Sequence, residues 1–563
     1  MTSFNYDPKE RSSVYSGDDP LAMLRRTMLY ATGITYGEIK KPFIAVANTY
    51  TEIHPGHAHL RAIVDRVKAG IRSAGGIPFE FGTIALCDGL TEAHEGMNYA
   101  LPSRQVIADS IEVAVRGHRY DAVVLVGSCD KIIPALLMAA ARLDIPAIVV
   151  AGGSAPPGYW ARGKMQISTK TQNEEAGKII GLAPEIREEA LSCLYPCAGA
   201  CWGMGTANTM ACLTEALGMS LPGDGSAPAV MANKLRLAEQ AGEKIMQLLK
   251  AGITAGKIIT AASLKNALMV DMAIGGSLNT VLHLPAIANE LGLKLSLSEF
   301  DRMARETPHL ANIEPNGPYF IVDFDRAGGV SGILKRLEGK IDGSVMTVTG
   351  KTMTENFKGF EVFDDEIIRP LDNPVHPYGG IAVLKGNLAM DGAVIKQVGL
   401  PKELWTFSGP ARVYNSEEDG IKALSGGVIK AGDVVVIRYE GPKGGPGMRE
   451  MSFFRVLQKM LGLDQAFYIV TDGRFSGYSE GPCIGYLSPE AAIGGAIAVV
   501  QDGDVIDIDV EKRLLQLKVP DSVLAERQKK IVHPEKKVAR GFLEIYRELV
   551  GPANQGAVLK INK

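Results

Sequence analysis

"AVVLVGSCDKIIPALLMAAARLDIPAIVVAGG", residues 122–153, decides the fold. Val123, Val124, Leu125 and Val126 form a near-continuous apolar run, and "IPAIVVAGG" (145–153) forms a second, with a helical stretch between them. Strands that are apolar on both faces and alternate with helices predict a parallel sheet covered on both sides. Ser128, Cys129, Asp130 and Lys131 stand where the first strand ends, and such sheets bind ligands beyond the carboxyl ends of their strands. A carboxylate and an amine do not enter an apolar core cheaply without partners, so this rim is expected to be a polar site.

The same pattern extends in both directions. Upstream, "KPFIAVAN" (41–48) precedes Leu60, Ile63, Val64, Val67 and Ile71, whose spacing predicts an amphipathic helix. "FGTIAL" (81–86) runs into Cys87 and Asp88. Downstream, residues 225–310 read as mostly helical, for example 234–252 with Gly252 as cap. After "NPVHPYGG" (373–380) the texture changes to short strands, including "GDVVVIRY", "AFYIVTDG" and a hairpin at 504–519. The expected fold is therefore α/β, in two domains. Residues 1–375 form a parallel-sheet α/β domain with helical additions, and residues 376–563 form a β-barrel-like domain.

Composition narrows the function. With 60 Lys+Arg against 63 Asp+Glu, the chain carries no basic footprint for nucleic acid or an anionic membrane. The amino terminus lacks an apolar signal-like run, and no apolar stretch is long enough to span a bilayer. A cytoplasmic protein that binds a small polar molecule is expected. The seven cysteines, at 87, 129, 193, 197, 201, 212 and 483, are an odd and unevenly spread set, which favours metal binding, catalysis or burial over disulfides.

Several segments carry candidate chemistry. Cys193, Cys197 and Cys201 lie four apart, but Pro196, Gly199 and Gly203 oppose a continuous helix, and the spacing matches no common zinc pattern. Thiolates do hold iron–sulfur clusters, and Cys129 with one or more of these could complete such a site. His54, His57 and His59 in "IHPGHAHL" could ligate a metal or make polar contacts at a helix start. "GPKGGPGMRE" (441–450) lacks the ending of a phosphate-binding loop, leaving Glu450 as a candidate ligand for a hard ion. Ser476 in "TDGRFSGYSEGP" (471–482) could be exposed at a tight turn, though without the usual nucleophile-elbow pattern.

Taken together, "LCDGL…HEGMNYALPSR", "GSCDKIIPALLMAAARLDIPAI", "GACWGMGTANTM", "TVTGKTMTEN", "GGIAVLKGNLAMDGAV", "GPKGGPGMREM" and "DGRFSG…SPEAAIGGAIAVVQDGD" resemble the dihydroxy-acid dehydratase family, from about residue 20 onward. That family also holds aldonate and 6-phosphogluconate dehydratases. The resemblance implies a hydro-lyase that converts a 2,3-dihydroxy acid through an enol to a 2-keto acid. An iron–sulfur cluster would draw away the C3 hydroxyl, and Mg²⁺ would stabilise charge on the carboxylate side. By resemblance, Cys129 and Cys201 match cluster ligands; Asp88, Asp130 and Glu450 match Mg²⁺ ligands; Lys131 matches a lysine carried as a carbamate; and Ser476 matches the proposed base.

The chain departs from the family's pattern in places. Where many members have P-C-x-x-H-L, this chain has Gly56, which cannot ligate iron. That leaves 2Fe-2S or 4Fe-4S open, with Cys197, a histidine or no protein group as the third ligand. "GGSLN" (275–279) carries Leu278 in place of a threonine, and "SFFRVLQKM" (452–460) brings in Phe453 and Phe454, changes that could reshape the substrate pocket. The leading expectation is dehydration of 2,3-dihydroxy-3-methylbutanoate and its ethyl homologue in valine and isoleucine synthesis, by a homodimer or homotetramer. The alternatives are an aldonate dehydratase acting on gluconate, xylonate or arabonate, promiscuous or not, and a non-catalytic iron–sulfur protein.

Overall fold

The computed structural model describes residues 11–168, 179–534, 538 and 540–560. Residues 1–10 of the polar amino terminus, and part of the stretch read as helical after residue 521, lie outside the described residues.

The first sheet holds β1 (Phe43–Asn48), β2 (Ile77–Gly82), β3 (Ala122–Gly127) and β4 (Ala147–Ala151), in the order β2-β1-β3-β4 and parallel throughout. Every residue of β1, β3 and β4 is buried, as the continuous apolar runs predict. Helix α1 (Leu60–Ser73) follows β1, α2 (Met97–Gly117) follows β2 and α3 (Ile132–Leu143) follows β3. α3 is buried on nearly all sides, so it lies sandwiched in the core. Pro134 is tolerated in its first turn, and Asp144, in the left-handed conformation at φ 45°, stops it.

A longer helix, α4 (Ala232–Ala251), packs against α1. Glycines allow a backbone-to-backbone approach there. A Cβ on Gly242 would lie 2.2 Å from the Val67 carbonyl oxygen, and one on Gly70 would lie 2.0 Å from that of Glu239.

A small antiparallel pair, β5 (Tyr159–Trp160) and β6 (Met165–Gln166), precedes the second large sheet. That sheet has eight strands: β7 (Ala382–Leu384), β8 (Gly392–Ile395), β9 (Thr406–Tyr414), β10 (Val434–Ile437), β11 (Tyr468–Thr471), β12 (Cys483–Ser488), β13 (Val505–Asp509) and β14 (Leu514–Leu517). Their order is β14-β13-β9-β10-β11-β12-β8-β7. Its two edges meet where Lys385, just past β7, bridges to Leu514, so the sheet nearly closes into a barrel.

The barrel-like expectation holds, but its strands are not simple half-buried alternators. β9, β10, β11 and β12 run parallel, and β10 and β11 are buried on both faces. Val434 and Val436 face the barrel's own core, whereas Val435 and Ile437 belong to the large core shared with the first sheet. Each strand is thus a wall between two interiors, a placement worth about 1.5–3 kcal/mol per fully buried valine.

Two further contacts tie the halves together. Arg104 of α2 is fully buried and donates through Nη2 to the carbonyls of Gly556 (2.5 Å) and Ala557 (3.0 Å). Asn98 donates through Nδ2 to the carbonyls of Gly445 and Pro446, both at 2.8 Å. Among the described residues, no helix is long and apolar enough to cross a membrane.

Candidate active site

Both sheets present the carboxyl ends of parallel strands to one cavity of about 350 Å³. The first sheet supplies His54 after β1, Cys87 and Asp88 after β2, and Cys129 and Asp130 after β3. The second supplies Glu450 from the loop after β10 and Ser476 from the loop after β11. Cys201, Tyr195, Trp202 and Thr206 close the cavity from the segment that follows the first sheet.

Cys129 has φ 63°, a left-handed backbone conformation that costs a non-glycine residue on the order of 1–3 kcal/mol and persists only where its surroundings enforce it. His57 supplies part of that enforcement. Its Nε2 lies 3.0 Å from the Ser128 carbonyl, and its Nδ1 lies 2.8 Å from that of Thr49. His59 Nε2 lies 2.8 Å from the Gly152 carbonyl. Two of the three candidate histidines therefore have ring nitrogens engaged by backbone oxygens, leaving His54 to line the cavity.

The hard-ligand wall is a cage of carboxylates. Asp88, Asp130 and Glu450 each offer an oxygen within 4.8 Å of the others. Lys131 Nζ, buried at 1% exposure, lies 2.8 Å from Asp88, 3.5 Å from Asp130 and 4.0 Å from Glu450. Arg474, also fully buried, pairs with Asp88 at 3.0 Å and with Glu450, and donates to the Met448 carbonyl at 2.8 Å.

Burial alone would raise the Asp88 pKa, but Lys131 and Arg474 outweigh it and hold that carboxyl at about 2. Asp130 is pushed the other way, to about 6, by burial, with Asp88 and Glu450 adding to the rise against Lys131. Half-buried Glu92, on the same cavity, is raised to about 8 by loss of solvent and by Glu450 and Asp88.

The soft-ligand wall holds Cys87, Cys129 and Cys201, all free thiols. Burial raises each pKa, to about 11 for Cys87, about 12 for Cys201 and well above the ordinary value for Cys129. The Tyr195 hydroxyl lies 3.3 Å from Cys201 Sγ. Cys197 is half-exposed and does not line the cavity. Cys193 packs instead with Trp160, Ile179 and Ala190.

Ser476 is 6% exposed; its Oγ accepts the Tyr478 backbone N–H at 3.2 Å and lies 3.5 Å from Ser479 Oγ. Of the two segments expected to shape the pocket, one lies outside it and the other reaches it through different residues. Leu278 is fully buried behind the carboxylates, and its neighbour Asn279 donates to Glu450 at 3.4 Å and to Thr206 Oγ1 at 2.9 Å. From 452–460, a helix here labelled α5 (Ser452–Met460), it is Ser452, Arg455, Val456 and Lys459 that reach the cavity, whereas Phe454 is buried elsewhere and Phe453 is 36% exposed.

Sequence reasoning assigned no role to Arg474, Cys87 or Glu92. The available signals were an arginine two residues before Ser476 and a thiol immediately before Asp88.

Comparison with known proteins identifies the family. Residues 41–356 match the family described as "Dihydroxy-acid/6-phosphogluconate dehydratase N-terminal", and residues 366–557 match its C-terminal counterpart. "Dihydroxy-acid dehydratase 1" of Methanosarcina acetivorans is 51% identical over 96% of this chain and 99% of its own length. The dihydroxy-acid dehydratase of Ignicoccus hospitalis is 50% identical, and that of Moorella thermoacetica 48%, each over 95% of this chain and 97% of its own length. On the strength of both matched regions and of near-full-length relatives at about half identity, this chain belongs to the dihydroxy-acid/6-phosphogluconate dehydratase family.

Proposed function

We propose that the protein is a hydro-lyase that dehydrates 2,3-dihydroxy acids to 2-keto acids, with 2,3-dihydroxy-3-methylbutanoate and its ethyl homologue, in valine and isoleucine synthesis, as substrates. The observation that carries the proposal is one cavity with thiols on one wall, three clustered carboxylates on another and Ser476 between domains. The near-full-length relatives bearing the dehydratase name support the substrate class.

The donor chemistry fits both groups that the family uses. Asp88 Oδ1 is buried without a hydrogen-bond partner beside Asp130 and Glu450, which suits a hard ion that seeks oxygen. Asp88, Asp130 and Glu450 would hold Mg²⁺, and Cys129 with Cys201 would hold an iron–sulfur cluster, 2Fe-2S or 4Fe-4S. When bound, these groups supply Lewis acidity toward the C3 hydroxyl and positive charge beside the substrate carboxylate.

The chain's own residues do the rest. Ser476 Oγ, as the alkoxide, takes the C2 proton and becomes a hydroxyl, and the Tyr478 N–H at 3.2 Å donates to this oxygen and stabilises the negative charge it carries before the transfer. Ser476 passes that proton to the departing C3 oxygen, which leaves as water and restores the base, and the remaining enol tautomerises to the 2-keto acid. Arg455 and Lys459 also line the cavity, paired with Asp464 and Glu480 respectively. As an ammonium, Lys131 opposes a divalent cation; as a carbamate formed with CO₂ it becomes an oxygen donor. We assign residues 1–375 and 376–563 as the two domains, and infer a cytoplasmic homodimer or homotetramer, a compartment suited to seven unpaired thiols.

The test is anaerobic purification and reconstitution with iron, sulfide and Mg²⁺, followed by 2-keto acid assays on 2,3-dihydroxy-3-methylbutanoate, gluconate, xylonate and arabonate. Preference for the branched acid, lost in Ser476→Ala with metal content unchanged, is expected. Preference for an aldonate overturns the substrate, and no keto acid from any of them at full metal content overturns the reaction.

A further inference from the structure

We propose that Cys87 supplies the third protein thiolate of the iron–sulfur centre. The inference rests on the iron–sulfur reading above and adds a ligand that the family resemblance does not provide.

Four observations lead to it. Cys87, Cys129 and Cys201 line the same cavity within electrostatic reach of one another, arriving from the end of β2, the end of β3 and the segment that closes the cavity. Among the described residues, these three are not a set whose ligand atoms crowd within 4.8 Å of one another, as Asp88, Asp130 and Glu450 are. That spread suits a polynuclear group rather than a single ion.

Gly56 sits directly against the site, since a Cβ there would lie 2.6 Å from Cys129 Sγ, yet it offers no side chain. A third protein donor would come from elsewhere around the cavity. Cys197, the alternative thiol, does not reach the cavity.

His54 reaches the cavity but is set in the wrong tautomer. Its Nδ1 accepts the Gly56 N–H at 3.2 Å, so the ring proton resides on Nε2, the buried nitrogen left without a partner. A nitrogen that carries a proton has no lone pair for iron, and moving that proton to Nδ1 would set two N–H groups against each other. Cys87 needs no such rearrangement: it binds by losing its thiol proton, as metal-bound cysteines do.

Backbone geometry favours the same assignment. Cys87 has extended φ and ψ of −99° and 116° at the start of the short turn that carries Asp88. One peptide unit thus presents a soft ligand and a hard ligand side by side, so the two metal sites are fixed relative to each other on this strand end as they are at Cys129-Asp130.

The experiment uses the full chain, purified anaerobically and reconstituted with iron and sulfide, as wild type, Cys87→Ala, Cys87→Ser and Cys197→Ala. Readouts are iron and sulfide per chain, the visible and electron-paramagnetic-resonance spectra, and the melting temperature of the metal-free protein. Cys87→Ala is expected to retain at least about tenfold less iron, since loss even of supporting partners costs 10–100-fold in metal affinity. Cys87→Ser, keeping an oxygen donor, is expected to shift the thiolate-to-iron absorption, and Cys197→Ala is expected to match wild type.

Thiol alkylation of the wild type provides a test that does not depend on variants folding. Cys87 should be protected when iron and sulfide are loaded and labelled once they are removed, with Cys197 labelled in both states. Wild-type cluster content and spectra in both Cys87 variants, or Cys87 labelled equally with and without the cluster, overturn this inference alone. A wild-type chain that takes up no iron and sulfide overturns the reading on which it rests.

Discussion

Removing the Arg474 guanidinium is the most revealing single perturbation of this site. Arg474 is fully buried and lies 3.0 Å from Asp88, a separation at which opposite charges attract by about 5–6 kcal/mol at an effective dielectric of ~20. Desolvation offsets part of that, and breaking a buried pair by deleting one partner typically costs about 3–5 kcal/mol.

Arg474→Met has similar bulk but leaves Asp88, Asp130 and Glu450 facing Lys131 alone. In metal-free protein its urea unfolding transition should move down by an amount equivalent to about 3–5 kcal/mol. Asp88→Asn should lose less, and the double variant should show a coupling of about 1.5 kcal/mol or more, because the two residues share one interaction. Mg²⁺ at a hundredfold excess over its dissociation constant should return about 2.7 kcal/mol, through binding to the folded form only. A loss below about 1 kcal/mol, or additive single variants, would refute the view of Arg474 as the charge that holds the two carboxylate-bearing loops together.

Further outcomes follow from the same geometry. Gly242→Ala should lower stability by about 1–3 kcal/mol, seen as a lower melting temperature, because its Cβ would meet the Val67 carbonyl at 2.2 Å. Leu278→Ala should cost about 2–5 kcal/mol, whereas Leu278→Thr should leave the order of substrate preference unchanged, since this side chain is buried away from the cavity. Val456 does line the cavity, so Val456→Phe should lower kcat/KM for the ethyl homologue more than for the methyl one, by about 10–200-fold for the extra methylene. Chelating Mg²⁺ should abolish turnover while iron and sulfide content stay constant, and adding Mg²⁺ back should restore it.

The first sheet was legible in the sequence because strands buried on both faces write themselves as unbroken apolar runs, as at 122–126 and 147–151. The barrel-like sheet was legible as strands but not as a partly parallel wall. Val434–Ile437 is apolar at every position because two cores lie on its two sides, and no local pattern distinguishes that from one thick core. Cys129, Asp130 and Lys131 stood out because charged groups at a strand end demand partners, Glu450 stood out at the end of a glycine-rich loop, and Asp88 only through the family resemblance. Arg474 escaped because an arginine in a glycine-rich loop reads as solvated, and only the fold shows it fully enclosed. Cys87 escaped because a single thiol at the end of an apolar run also describes a small buried hydrophobe. Leu278 lies outside the cavity, and stretch 452–460 reaches it through Ser452, Arg455, Val456 and Lys459 rather than Phe453 or Phe454, since which face of a segment meets a cavity depends on what packs behind it.

The grip of Arg104 on the carbonyls of Gly556 and Ala557 bears on how the chain is made. A ribosome releases the first sheet and α2 hundreds of residues before it releases residue 556, so during that interval Arg104 Nη2 lacks both of its carbonyl partners, while Nη1 has only the Leu282 carbonyl at 3.4 Å and His283 Nδ1 at 3.1 Å. The surface formed by α2 and the helix at Thr280–Glu290 is therefore covered only once the segment around residues 553–557 has been made. Nascent chains halted before residue 551 should keep this surface exposed and engage chaperones, so closure of the α/β half is coupled to synthesis of residues 551–558.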